Sequence, residues 1–166
     1  MKSYADSIKR VGLVANTDKK SGAAQIRKAA AQIRKAGREV LTDAATAKMA
    51  GLRDETRETH AEVARKADLL LVFGGDGTML RVTRDIAGCR TPILAINIGS
   101  LGFLTAVPSD ETAAALKLVW EGRFDIDSRN LIEASSPRGG ATPAQHALNE
   151  FVISRGAASR MIELDV

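Results

Sequence analysis

Nine residues leave this chain few ways to fold: Val72-Phe73-Gly74-Gly75-Asp76-Gly77-Thr78-Met79-Leu80. They follow an unbroken apolar run, Leu69 to Phe73, with the length and side chains of a buried parallel strand. Three glycines in four positions then permit backbone angles that other residues reach only at a cost, so a sharp turn is expected. From Thr78 the apolar pattern Met79, Leu80, Val82, Ile86 changes to a helical period. A strand, a glycine turn and a helix start aim free backbone N–H groups beyond the strand end, a geometry suited to phosphate.

Asp76 sits inside this turn. A carboxylate among phosphate-binding amides repels what the amides attract, unless it orients a hydroxyl that attacks a phosphoryl group or helps to hold a metal. The plainer alternative is a turn aspartate capping a helix that runs from about Thr78. The two readings are compatible.

Val11 to Ala15 reads as a first strand, turned by Asn16, Thr17 and Asp18. Lys19 and Lys20 follow at a strand end, where open α/β sheets meet ligands; a solvated pair before a helix is the competing reading. Residues 1 to 9 are expected to fray. Ala23 to Ala36 is a helix by propensity, with Ile26, Ala29, Ala30 and Ile33 on one face and Gly37 where a terminating glycine belongs. Glu39 to Thr42 is a second strand. Residues 43 to 57 are expected to form a short helix and a mobile connection, and Glu58 to Lys66 another helix. No G-x-x-x-x-G-K-[ST] sequence occurs, which excludes a P-loop.

After a helix ending near Ala87, Ile93 to Ile98 forms a further apolar strand. Leu101-Gly102-Phe103-Leu104-Thr105 then either anchors Phe103 and Leu104 in the core or closes over the crevice at the strand ends. Ser109 and Asp110 are candidate caps for a helix from Glu111 to Trp120, stopped by Gly122. Up to residue 122 strands and helices alternate, so a Rossmann-like α/β domain is expected over 1–122: a parallel sheet with flanking helices. Beyond it, Phe124 to Ala134, Gln145 to Arg155 and Met161 to Val166 read as strands, with a turn-rich stretch from Pro137 to Pro143. The final strand stops in mid-pattern, so 123–166 is expected to begin an incomplete all-β second domain, in a fragment, an engineered piece or a natural truncation.

Composition bounds the function classes. In 166 residues, 45% apolar and 27% charged side chains describe a globular chain without long disorder. The net charge of +4 comes from scattered Arg27, Lys28, Arg34, Lys35, Arg38, Arg65 and Lys66 with no aromatic interleaving. That is a solvated face able to attract anionic nucleotides, and no nucleic-acid partner is expected. Cys89 is alone, and His60 and His146 lie far apart, so no residues show metal-ligand spacing. With no signal peptide and no long apolar span, a cytoplasmic protein without a membrane partner is expected.

Gly74-Gly75-Asp76-Gly77-Thr78 resembles a turn carried by NAD kinases, by diacylglycerol and sphingosine lipid kinases and by 6-phosphofructokinases. Three further stretches narrow the resemblance to the NAD kinase family. Asn97-Ile-Gly-Ser-Leu-Gly-Phe-Leu-Thr105 looks like the loop after the next strand in those enzymes, Ala147-Leu-Asn149-Glu150 resembles their Asn-Glu nucleotide motif, and Arg160-Met-Ile-Glu163 resembles the segment beyond it. With Gly12 to Asn16 included, the likeness runs over nearly the whole chain.

The resemblance implies phosphorylation of the 2′-hydroxyl of the adenosine ribose of NAD, giving NADP, with ATP or polyphosphate as donor and a divalent metal, magnesium. In that picture Asp76 is the catalytic carboxylate, and Gly74, Gly75, Gly77 and Thr78 take the donor's phosphates. Gly77, Asn149, Glu150 and Arg160 contact NAD, Phe103 packs beside the adenine, and Arg81 is a weaker candidate for a phosphate contact. The bland readings are a strand-end turn at Asn149 and Glu150 and surface arginines at Arg81 and Arg160. Family members form homo-oligomers, and their second domain carries a further glycine- and threonine-rich stretch that has no counterpart here. Weak or absent activity of the chain alone is therefore expected. A diacylglycerol-type lipid kinase and a catalytically dead nucleotide-binding module are the alternatives.

Overall fold

The apolar run preceding the glycines is strand β4 (Leu69–Gly74), every residue of which is buried. Leu69, Leu71 and Phe73 face one core, whereas Leu70 and Val72 face another. With both faces covered, apolar residues fill consecutive positions rather than alternate ones. The computed structural model describes residues 4–17, 22–53, 55–99, 102–135 and 144–152.

Six parallel strands form the main sheet: β1 (Arg10–Ala15), β2 (Glu39–Asp43), β3 (Glu55–Arg57), β4, β5 (Ile93–Asn97) and β6 (Val107–Pro108), in the order β3-β2-β1-β4-β5-β6. Helices α2 (Ala23–Lys35) and α6 (Thr112–Trp120) cover one face, and α4 (His60–Lys66) and α5 (Asp76–Asp85) cover the other. In α2 the buried residues Ile26, Ala29, Ala30 and Ile33 recur at helical spacing, and Arg27, Lys28, Arg34 and Lys35 lie exposed opposite them. Gly37, at φ 72°, ends that helix as expected. The chain builds outward from β1 in one direction as far as β3, then returns to place β4 on the other side of β1. This reversal makes the gap beyond the carboxyl ends of β1 and β4 the switch point where ligands enter such sheets.

Several expectations change. The amino terminus does not fray throughout, because α1 (Tyr4–Ser7) buries Ala5 and the following Ile8 is buried as well. Residues 43 to 57 hold more order than expected. Buried Asp43 caps α3 (Ala44–Ala50) by accepting from Thr46 N at 2.9 Å, and β3 pairs with β2 as an edge strand. Thr59 and Glu62 form a reciprocal capping box that starts α4. A 3₁₀ turn (Ser109–Glu111) precedes α6, whose cap position is Glu111; neither Ser109 nor Asp110 caps it through a side chain.

Among the described residues after Gly122, β7 (Ile132–Ala134) and β8 (Gln145–Ala147) form an antiparallel pair, and the strand expected from Phe124 is confined to its last three residues. Residues 123–131 run irregularly, and most of them are exposed. Residues 153–166, with the expected Met161 to Val166 strand, lie outside the described residues. No helix among the described residues is long and apolar enough to cross a membrane.

Phe73 is fully buried at the point where β4 meets the glycine turn. Phe73→Ala should cost about 3–5 kcal/mol in urea unfolding, with an unchanged denaturant slope. A cost below about 1 kcal/mol would show that the first core closes without this ring.

Candidate active site

The site is built where β4 hands over to α5. Gly75 occupies the cap position of α5 at φ −109°, ψ −170°, and its carbonyl accepts from Thr78 N at 2.9 Å and Met79 N at 3.1 Å. The amides of Asp76 and Gly77 stay at the open end of the helix, where the positive end of its dipole lies.

None of the three turn glycines uses a positive φ; among the described residues the glycines that do are Gly37, Gly51, Gly88, Gly99 and Gly122. Their use is spatial. A Cβ on Gly74 would fall 2.3 Å from Thr78 Oγ1, so that glycine lets buried Thr78 fold back over the strand end. A Cβ on Gly75 or Gly77 would meet nothing within 4 Å. Both positions leave clear space in front of the helix.

Asp76 is the first residue of α5, and it does not cap the helix; the start of α5 has no side-chain cap. Its carboxylate reaches instead to the connection between β5 and β6. Phe103 N donates to Oδ2 at 2.9 Å, Leu104 N to Oδ1 at 3.0 Å, and Thr105 Oγ1 to Oδ1 at 3.4 Å. Thr105 and Asn97 are both buried, and Asn97 Nδ2 donates to Thr105 Oγ1 at 2.7 Å. Register explains the meeting. Asn97 pairs with Gly74 across β5 and β4, and Ile98 N donates to the Gly74 carbonyl at 3.1 Å. The chain leaving β5 therefore emerges beside the glycine turn.

Gly102 completes the arrangement, because a Cβ there would lie 2.1 Å from Asp76 Oδ1 and 2.5 Å from Cγ. The N–H groups of Phe103 and Leu104, then Thr105, hold the Asp76 carboxyl below the ordinary carboxylate range, against a partial opposing effect of burial. Such a group is a weak base. It is well suited to orienting a hydroxyl.

Of the other expected site residues, Phe103 is fully exposed, which overturns its reading as a core anchor, whereas Leu104 is half-buried against the second core. Arg81 is exposed on α5. Asn149 and Glu150 are exposed just after β8, a strand that packs alongside α5. Asn149 lines a shallow cavity of about 350 Å³ with Asp127, Ser128, Arg129, Asn130 and Leu148. Arg160, Lys19 and Lys20 lie outside the described residues. Sequence reasoning missed the parts played by Gly102, Thr105 and Asn97. The available signal was their position at and after the strand that follows β4.

Among the described residues no group of three or more His, Cys, Asp or Glu side chains converges as a metal cage. Asp76 is the carboxylate of the turn, and N–H groups already occupy both its oxygens. This donor set does not form a metal site of its own; magnesium would have to arrive on nucleotide phosphates.

Residues 11–124 match the family model described as the ATP-NAD kinase N-terminal domain. The chain belongs to the ATP-NAD kinase family. It is 36% identical over 161 residues to an NAD kinase of Burkholderia cenocepacia strain HI2424, covering 96% of this chain and 53% of that enzyme. It is 39% identical over 160 residues to an NAD kinase of Paraburkholderia phytofirmans, covering 95% and 53%. The chain thus spans about half the length of the curated relatives it matches. Yeast NADH kinase, solved in complex with NADH, superposes with a TM-score of 0.68 at 17% identity over 86% of this chain and 47% of that one, a likeness of fold. The family expected from the glycine turn and its companion motifs is borne out, and the lipid-kinase alternative is not favoured.

A carboxyl with a lower pKa folded than unfolded adds stability above its unfolded pKa, about 3.9, and loses it as pH falls through the lowered folded value. The stability difference between the parent chain and Asp76→Asn should be flat above about pH 5 and shrink below about pH 4. Denaturant unfolding across that range measures it. A difference independent of pH would show that the carboxylate does not brace the loop.

Proposed function

We propose that this chain carries the phosphate-facing part of an NAD kinase site, transferring the terminal phosphoryl group of ATP to the 2′-hydroxyl of the adenosine ribose of NAD to give NADP. The observation that carries this reading is the Asp76 carboxylate, braced by a neighbouring loop at the open end of α5, with clear space before Gly75 and Gly77. Family membership supports it.

In this reading the donor's phosphates settle against the amides at the start of α5, with Gly74 and Thr78 shaping the strand end behind them. Asp76 accepts a hydrogen bond from the ribose hydroxyl, aligns its oxygen for in-line attack and takes its proton as the new P–O bond forms and the bond from the terminal phosphorus to the bridging oxygen breaks, ADP leaving with that oxygen. A loose phosphoryl-transfer transition state asks little of the base, so a carboxylate of lowered pKa suffices and positioning does most of the work. Magnesium bound to the phosphates supplies charge neutralisation. Phe103, free of the core, offers an aromatic face to the adenine; Asn149 and Glu150 take adenosine or ribose; Gly77, Arg81 and Arg160 complete the contacts to NAD. We place the division between the α/β domain and a β-rich second domain at residues 122 and 123. We also assign the protein to the cytoplasm and to a homo-oligomer.

The test incubates the chain, and a version extended to the length of its relatives, with NAD, labelled ATP or polyphosphate, and magnesium, and follows labelled NADP. Asp76→Asn should lower turnover by on the order of a hundred-fold or more while changing NAD affinity far less. Equal losses in both would make Asp76 a binding residue only. Nucleotide binding without transfer in both versions would favour a module that binds and does not catalyse.

Gly77 separates folding from binding. It is exposed in the first turn of a helix, and a Cβ there meets open space. Gly77→Ala should leave the chain as stable or up to about 1 kcal/mol more stable, yet weaken nucleotide binding in calorimetric titration. Unchanged affinity would remove the turn from the binding surface.

A further inference from the structure

The brace on Asp76 has a direction. Asn97 Nδ2 can only donate, so at 2.7 Å it occupies a lone pair of Thr105 Oγ1 and leaves the hydroxyl proton to point elsewhere. The acceptor within reach is Asp76 Oδ1 at 3.4 Å, a long contact whose sense is nonetheless set by the Asn97 amide. Among the described residues Oδ1 therefore takes the hydrogen bonds of Leu104 N and Thr105 Oγ1 and Oδ2 that of Phe103 N, with the Thr105 N–H adding a weaker pull on the carboxylate. A carboxylate oxygen has two lone-pair positions, so the open one lies on Oδ2.

We propose that Thr105 is a positioning residue: its hydroxyl, oriented by Asn97, holds Oδ1 against the β5–β6 connection so that Oδ2 is the oxygen presented to the acceptor hydroxyl. The proposal rests on the kinase reading for the identity of that hydroxyl, and on hydrogen-bond geometry alone for the brace. Both Thr105 and Asn97 are buried. Their side chains act on Asp76 from behind rather than on a ligand in front of it. The arrangement also accounts for Gly102, since the carboxylate reaches Leu104 and Thr105 by lying flat against a residue without a Cβ. Without the Thr105 hydroxyl, Asp76 keeps the N–H groups of Phe103 and Leu104, and a weaker contribution from that of Thr105, but loses the side-chain contact that distinguishes one oxygen from the other. Rotation about its terminal torsion is then less restrained.

The test compares Thr105→Val, close in size but without the hydroxyl, with Thr105→Ser, which keeps it. Two readouts are taken on the whole chain. The first is the carboxyl ¹³C titration of Asp76, assigned with Asp76→Asn. Removing a donor to the ionised form raises the titration midpoint, so valine should shift it to higher pH and serine should leave it in place. The second is NADP formation. Valine should lower kcat about ten-fold with the KM for NAD held within about three-fold, and should move the acid limb of the pH profile upward; serine should restore all three. If valine is not accommodated, Thr105→Ala removes the same hydroxyl without setting a methyl group against Asn97.

Equal behaviour of the serine and valine variants, or an Asp76 midpoint that neither moves, overturns the proposal. If neither the chain nor a version extended to the length of its relatives forms NADP, the kinase reading fails by itself, and the titration still decides whether Thr105 holds Asp76.

Discussion

Two backbone N–H groups, those of Phe103 and Leu104, donate to one carboxylate at 2.9 and 3.0 Å and thereby join two separate crossovers of the sheet. Asp76 belongs to the turn after β4, and its partners belong to the connection after β5. Backbone donors to an ionised acceptor are among the stronger hydrogen bonds a protein makes, and they also fix the acceptor's plane. Where Asp76 points is thus a property of the sheet, set by the pairing of Gly74 with Asn97 and by the shared core that keeps β4 and β5 in register. Disturb that register and the carboxylate has nothing to lie against.

The same contact resolves the conflict of a carboxylate placed among anion-binding amides. The amides of Asp76 and Gly77 face the clear space before the helix, while the Asp76 side chain is drawn aside by the neighbouring loop. Phosphate and carboxylate are then adjacent without competing for the same donors. The glycines contribute absence of bulk rather than unusual torsions. Gly74 yields to Thr78, Gly102 yields to Asp76, and Gly75 and Gly77 leave room for what binds.

Much of this was legible from residue order. Strands buried on both faces announce themselves as unbroken apolar runs, which is why β1, β4 and β5 and the parallel sheet could be read directly. The helix face of Ile26, Ala29, Ala30 and Ile33 was visible for the same reason: burial imposes a period. The edge strands β3 and β6 were not visible. They have three and two residues, and they exist because β2 and β5 offer them a ladder. Nor could sequence supply the partners of Asp76, which lie 27 and 28 residues away and meet it only through strand register. Phe103 was ambiguous because an apolar side chain in a loop reads alike whether it anchors a core or faces a ligand; its full exposure settles only where it is. Between Phe124 and Leu131 an alternating pattern overstated the strand, since a residue such as Ile126 is exposed and has no face to bury it.

The central claim is that Asp76 stands where a ribose hydroxyl and a terminal phosphate come together. A crystal structure of the chain with NAD bound tests it most directly. The account predicts the adenosine 2′-oxygen about 2.6–3.2 Å from Asp76 Oδ2, with Oδ1 still held by the β5–β6 connection. An adenosine ribose bound away from Asp76, or facing it through another hydroxyl, would contradict it.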